Sequence, residues 1–144
     1  MHQIHPAPGS LHRIRLTERA GFLEALTRKC WSELSSSLEE EGPPPEFSGI
    51  HSLRDPLLHP FLELPGVFLI LGPTPDFAIL HIGAAQGPMG RKVWARLEPL
   101  SLGRFAWRWE AESDPAPTYA ACIVFSGNWG LIPAMKALVI RAAP

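Results

Sequence analysis

The longest periodic stretch of the chain lies between residues 17 and 41. Phe22, Leu26, Cys30, Leu34 and Leu38 recur every four positions, and Leu23 and Trp31 widen the stripe. This pattern predicts an amphipathic helix that packs one face on something larger. Thr17 is placed to cap it, and Glu18 suits the positive end of the helix dipole. Gly42, Pro43, Pro44 and Pro45 then end it. Residues 1–15 are rich in His, Pro and Arg without a period and read as a loose arm or a short edge strand. Residues 42–60 carry Pro, Gly, Ser and His and read as a connector.

The second half reads differently. Residues 64–73 contain an apolar run between Pro65-Gly66 and Gly72-Pro73, the pattern of a strand buried on both faces. A turn at 73–76 leads to a second strand at 77–82, so a hairpin is expected, with Gly83 breaking it. In residues 89–98, Val93 and Leu97 stand four apart among basic residues, which predicts a short helix. Residues 103–111 alternate, with Phe105, Trp107 and Trp109 on one side and Ala106, Arg108 and Glu110 on the other. That is a strand with one wet face. Residues 113–117 read as a loop, 118–125 as a further strand or else a helical turn, 126–130 as a loop, and Pro133, Met135, Leu138 and Val139 mark a terminal helix.

These elements predict an α/β (α+β) fold: a small mixed or antiparallel sheet of three to four strands flanked by helices, with an N-terminal helix. Residues 1–60 would hold the arm, long helix and connector, and residues 61–144 the sheet core, packed together as one domain. A length of 144 residues suits one domain, and 46% hydrophobic with 19% charged residues is enough to build a core. Sixteen prolines imply long loops rather than a helical bundle. The two cysteines, Cys30 and Cys122, form no CxxC pair, which excludes a zinc ribbon. Both read as small core residues, with a disulfide between them left open. The first residues lack the apolar stretch of a signal peptide, and apolar runs fall short of the roughly 18 residues a bilayer needs. A cytoplasmic protein outside the membrane is expected.

Net charge is −1, so the whole chain carries no nucleic-acid signal. The charge is uneven, however. Residues 1–64 hold six Lys/Arg against nine Asp/Glu, and residues 65–144 hold seven against five. Arg91, Lys92, Arg96, Arg104 and Arg108 share a stretch in which Glu98 is the one acid. Such a patch either binds phosphate or is an ordinary solvated surface.

The run Pro65-Gly66-Val67-Phe68-Leu69-Ile70, followed by Leu80-His81-Ile82-Gly83-Ala84-Ala85, resembles the paired signature of the GIY-YIG nuclease family. In that family a Gly-Ile/Val-Tyr element on one strand is followed by a Tyr-Ile/Val-Gly element on the next. Here Phe68 and His81 stand thirteen apart, and Arg91 stands eight residues after Gly83, where the family has an arginine on the first core helix. The Leu-Pro-Gly-Val-aromatic-Leu phrasing resembles the branch that contains the excision-repair nuclease subunit. The resemblance covers roughly residues 64–142 and leaves residues 1–60 uncovered.

The resemblance implies a metal-dependent nuclease hydrolysing DNA phosphodiesters, with Mg²⁺ or Mn²⁺ as cofactor. His81 would take the base role, since imidazole titrates near neutrality. Arg91 would clamp the scissile phosphate, with Lys92, Arg96, Arg104 and Arg108 as further phosphate contacts and Gly66, Val67, Phe68, Ile82 and Gly83 as motif positions. Two departures stand against it. Phe68 cannot exchange a proton, and Lys136 replaces the glutamate that the resemblance would use as metal ligand. Lysine does not coordinate Mg²⁺. Glu98, Glu110, Glu112 or Asp114 would have to supply the carboxylate, and none is singled out as the ligand.

The alternative is a catalytically inactive nucleic-acid-binding or protein-interaction domain without a cofactor, and a homo-oligomer fits the same residues. Trp94, Trp107 and Trp109 suit either base stacking or core and interface anchoring. His51, Asp55 and His59 have a spacing that would suit metal on a helix, but Pro56 after Asp55 disfavours helix there.

Overall fold

The structure is a computed structural model that describes residues 8–39, 42–72, 77–94 and 119–143. In chain order these form helix α1 (Pro8–Ser35), strand β1 (Glu46–Ser52), and a 3₁₀ turn (Pro56–Leu58) continuous with the short helix α2 (His59–Leu62). Strands β2 (Gly66–Leu71) and β3 (Ile79–Ala85) follow, then a helical stretch α3 (residues 89–94). Strand β4 (Tyr119–Val124), a second 3₁₀ turn (Trp129–Leu131) and helix α4 (Ile132–Ala142) complete the described chain. The strands build one four-stranded antiparallel sheet in the order β1-β4-β2-β3. The chain thus has the expected α+β architecture.

β2 is the strand the sequence marks most clearly, and the reason is its position. It pairs with β3 on one side and β4 on the other, and every residue from Gly66 to Leu71 is buried. A strand covered on both faces reads as a continuous apolar run instead of alternating. Its side chains still divide by face. Val67, Leu69 and Leu71 join Ala121 and Ile123 of β4, Leu23, Leu26, Cys30 and Trp31 of α1, and Ile132, Met135 and Val139 of α4 in one core cluster. Phe68 and Ile70 join Ala120, Cys122 and Val124 of β4, Leu58 of the first 3₁₀ turn, Leu62 of α2, and Met89 and Val93 of α3 in the other. The sheet is therefore sandwiched, with α1 and α4 on one side and α2 and α3 on the other.

Several expectations shift. α1 begins at Pro8, so residues 8–15 are helical rather than an arm or strand, and Thr17 lies inside the helix rather than at its cap. Pro at the start of a helix is tolerated because its missing N–H would have no helical partner there. The helix stops at Ser35, short of residue 41. Its serines explain this: Ser36 Oγ donates to the Glu33 carbonyl at 2.8 Å and Ser37 Oγ to the Leu34 carbonyl at 3.3 Å. Side chains that bond the local backbone compete with helix continuation. The buried stripe is rotated too. Leu23, Leu26, Cys30 and Trp31 are inside, while Phe22 is 46% exposed beneath the Arg19 guanidinium.

Residues 42–60, read as a connector, contain β1 and α2. β1 carries Ser, Gly and His, and Ile50 is its only buried residue. It pairs with β4 across a bulge between Phe47 and Ile50. Gly49 takes φ +82° there, a conformation open to glycine.

β2 and β3 form the expected hairpin, but β3 starts at Ile79 and passes through Gly83 to Ala85 instead of breaking there. Phe77, just before it, has φ +44° and stacks edge-on against Tyr119 at 5.3 Å. The strand expected at 103–111, residues 95–98 of the short helix and the turn at 73–76 lie outside the described residues.

Candidate functional site

The motif glycines are explained by close approaches. A Cβ on Gly66 would collide with the Ile123 carbonyl oxygen of β4. Phe68 pairs directly across from Gly83, and a Cβ on Gly83 would run into the Phe68 ring. Glycine opposite an aromatic lets the ring lie flat over the neighbouring strand. Phe68 is 1% exposed. Val67 is fully covered on the α1/α4 face, and Ile82, opposite Leu69, packs against that same cluster.

His81 lies opposite Ile70, on the face shared with Phe68 and α3. Its ring is half-buried, 5.9 Å from the Phe68 ring at a tilt of 42°. It also borders an open recess of about 350 Å³, lined with Ile79, Leu80, Ile82, Ile140 and Ala143.

α3 is held to the sheet by Met89 and Val93, both 0% exposed, and by the Met89 N–H donating to the Leu64 carbonyl at 3.0 Å. Gly90 lies against Leu62, where a Cβ would come 3.1 Å from the carbonyl oxygen. Arg91, Lys92 and Trp94 are exposed. At about 100° per residue, Arg91 lies roughly opposite the Met89–Val93 stripe, pointing to solvent rather than towards the sheet. His81 and Arg91 therefore share one side of the sheet without being aimed at one another. Arg96, Arg104 and Arg108 lie outside the described residues. Lys136 is half-buried on α4, in the helix layer across the sheet from α3.

Among the described residues no three His, Cys, Asp or Glu side chains come together as metal ligands. Lys136, where the resemblance would require a glutamate, offers no carboxylate for a divalent metal. Glu98, Glu110, Glu112 and Asp114 lie outside the described residues.

A second polar cluster was only half visible in the sequence. His51 Nε2 lies 2.8 Å from the Ser48 carbonyl and Nδ1 lies 3.4 Å from Asp55 Oδ2, while the ring stacks on Phe61 at 5.9 Å. Asp55 caps the 3₁₀ turn by accepting the Leu57 N–H at 2.9 Å. That bond holds its carboxyl below the usual range; burial opposes the shift and His51 reinforces it. Ser48 Oγ accepts the Cys122 N–H at 2.8 Å, which ties the β1 bulge to β4. His59 is exposed at the start of α2 and makes no metal group with these residues. Ser48 could not be singled out by spacing, because its partner is 74 positions away.

The cysteines are free and buried. Burial pushes the Cys122 thiol up to about 12, partly offset by Ser48. Burial, then Glu33, raises Cys30 against a lowering by Lys29. No described helix is long and apolar enough to cross a membrane.

Compared with known proteins, the chain matches no protein family, no curated protein and no solved structure.

Proposed function

We propose that the protein is a cytoplasmic nucleic-acid-binding domain on a GIY-YIG-like core, holding the phosphate backbone without cleaving it. Among the described residues, the β2–β3 hairpin followed by α3 matches the two motif strands and the first core helix that the resemblance implies, which supports this reading. The observation that carries the reading is the Phe68–Gly83 pair: a motif position where proton transfer would be needed is closed hydrocarbon packing. Arg91 and Lys92 meanwhile stand in solvent beside exposed Trp94, a combination suited to phosphate contact with adjacent base stacking. Fluorescence anisotropy with labelled DNA and RNA, single-stranded and duplex, tests it. Binding is expected at low salt, with log affinity falling linearly against log salt. Arg91→Ala/Lys92→Ala is expected to weaken binding to all sequences alike and to reduce the salt slope by about one to two. Undetectable binding at low salt for every nucleic acid would end this reading.

A second reading is hydrolysis of DNA phosphodiesters with Mg²⁺ or Mn²⁺. Its supporting observation is that His81 and α3 lie on one side of the sheet. Incubation with plasmid, branched and flapped DNA in either metal separates the two readings. Cleavage lost in His81→Ala/Arg91→Ala would make the protein a nuclease. Cleavage no greater than in that variant leaves the binding reading. A homo-oligomeric protein-interaction role is compatible with either, supported by exposed Phe22, Trp94, Trp129 and Ile140.

A further inference from the structure

Among the described residues, Phe22, Trp94 and Trp129 are the exposed Phe and Trp side chains, and they differ in what surrounds them. Phe22 has the Arg19 guanidinium over its ring at 5.3 Å, and Glu18 stands one turn before it on α1. Trp129 donates its indole N–H to the Phe125 carbonyl at 3.3 Å, and residues 126–135 hold no cation. Trp94 is 43% exposed, belongs to neither core cluster, and shares α3 with exposed Arg91 and Lys92. No Asp or Glu occurs from residue 77 to residue 97. Met89 and Val93 fix which way α3 faces. At about 100° per residue, its outer side then runs Lys92, Arg91, Trp94, with Arg91 in the middle. Arg91 and Trp94, three positions apart, are neighbours on the helix surface.

The geometry points to single-stranded nucleic acid as the ligand, with Trp94 stacking on an unpaired base while Arg91 and Lys92 hold the phosphates beside it. The inference rests on the nucleic-acid reading above and names its ligand class. The strand state follows from what the three side chains need. Two cations beside a stretch without acids suit any phosphate backbone, single or paired. An indole needs the flat face of a base. In a duplex that face is covered by the next base pair, so Trp94 has nothing to stack on; in a single strand it is open. With two cations, the higher charge density of the duplex weighs little against a stacked base. Stacking is indifferent to base identity, because every base has a π face. Single-stranded DNA and RNA share this chemistry, and Trp94 is the residue that distinguishes both from duplex.

Fluorescence anisotropy of the full chain with three labelled probes of one length tests this. The probes are a single-stranded oligonucleotide, its abasic counterpart, which keeps the phosphates without the bases, and the duplex, each made as DNA and as RNA. The expected result is that the single strand of one sugar or both binds about fivefold or more tightly than its abasic counterpart and than the duplex. Trp94→Ala is expected to lose that preference and Trp94→Phe to restore part of it. Arg91→Ala/Lys92→Ala is expected to weaken every probe while the abasic ratio stays. The wild-type comparison needs no variant, so it carries the test even if a substitution fails to fold. Equal affinity for the single strand and its abasic counterpart, a duplex bound as tightly as the single strand, or a preference kept in folded Trp94→Ala would overturn the inference and leave the nucleic-acid reading in place. No binding of any probe at low salt ends both.

Discussion

Gly83 and Phe68 make one unit, because the missing side chain of the first is the space occupied by the second. Gly83→Ala is expected to destabilise by about 1–3 kcal/mol through overpacking. Combining it with Phe68→Leu should cost less than the two single changes summed, since the smaller side chain releases the clash. Urea unfolding of the four proteins in that cycle checks the coupling. Asp55 gives a pH test. Its carboxyl is lowered in the folded state, first by the Leu57 N–H. Its stabilising contribution is therefore complete above the ordinary carboxylate range, near about pH 4, and is lost as pH falls through the lowered value. Thermal midpoints followed below about pH 4 should fall more steeply for wild type than for Asp55→Asn, which keeps a capping oxygen but cannot titrate. The thiols give a third test. With Cys122 pushed up to about 12 and both cysteines buried, a disulfide reagent at mildly alkaline pH should label neither in the folded protein and both after unfolding.

Elements were legible in the sequence to the degree that burial is written in side-chain type. β2, β4 and α4 are apolar where they meet the core, and each was expected close to where it lies. β1 was not, because an edge strand with Ile50 as its single buried residue can be built from Ser, Gly and His. Its stability is supplied from outside the strand. Ser48 Oγ receives the Cys122 N–H, so Ser48→Ala leaves that donor without its partner and should cost about 1–3 kcal/mol by urea unfolding. The start of α1 was hidden by Pro8 and Gly9, and its end by serines that look compatible with helix until their hydroxyls are seen bonding backwards. At the candidate site, the strand positions of His81 and the motif residues were legible from their spacing. The outward direction of Arg91 was not, since it follows from Met89 and Val93 facing inward.

At the scale of the molecule, residues before β2 are structural partners of those after it. α1 supplies Leu23, Leu26, Cys30 and Trp31 to a cluster that also holds Leu69, Ile123 and Met135. A chain lacking residues 1–41 would expose that side of the sheet to water. It is expected to keep strand content by far-ultraviolet circular dichroism while losing the near-ultraviolet signal and binding a hydrophobic dye. The order of strands has a consequence for how the protein is made. β4 sits between β1 and β2, so Glu46 waits for Val124 and Ser52 for Tyr119. On a ribosome, the β2–β3 hairpin emerges with the still-unpaired side of β2 bare, and its closure must await a segment synthesised much later. Sheet completion of this non-local kind is slow and exposes the nascent chain to association. Chaperone dependence during translation should therefore end when β4, rather than the hairpin, clears the exit tunnel.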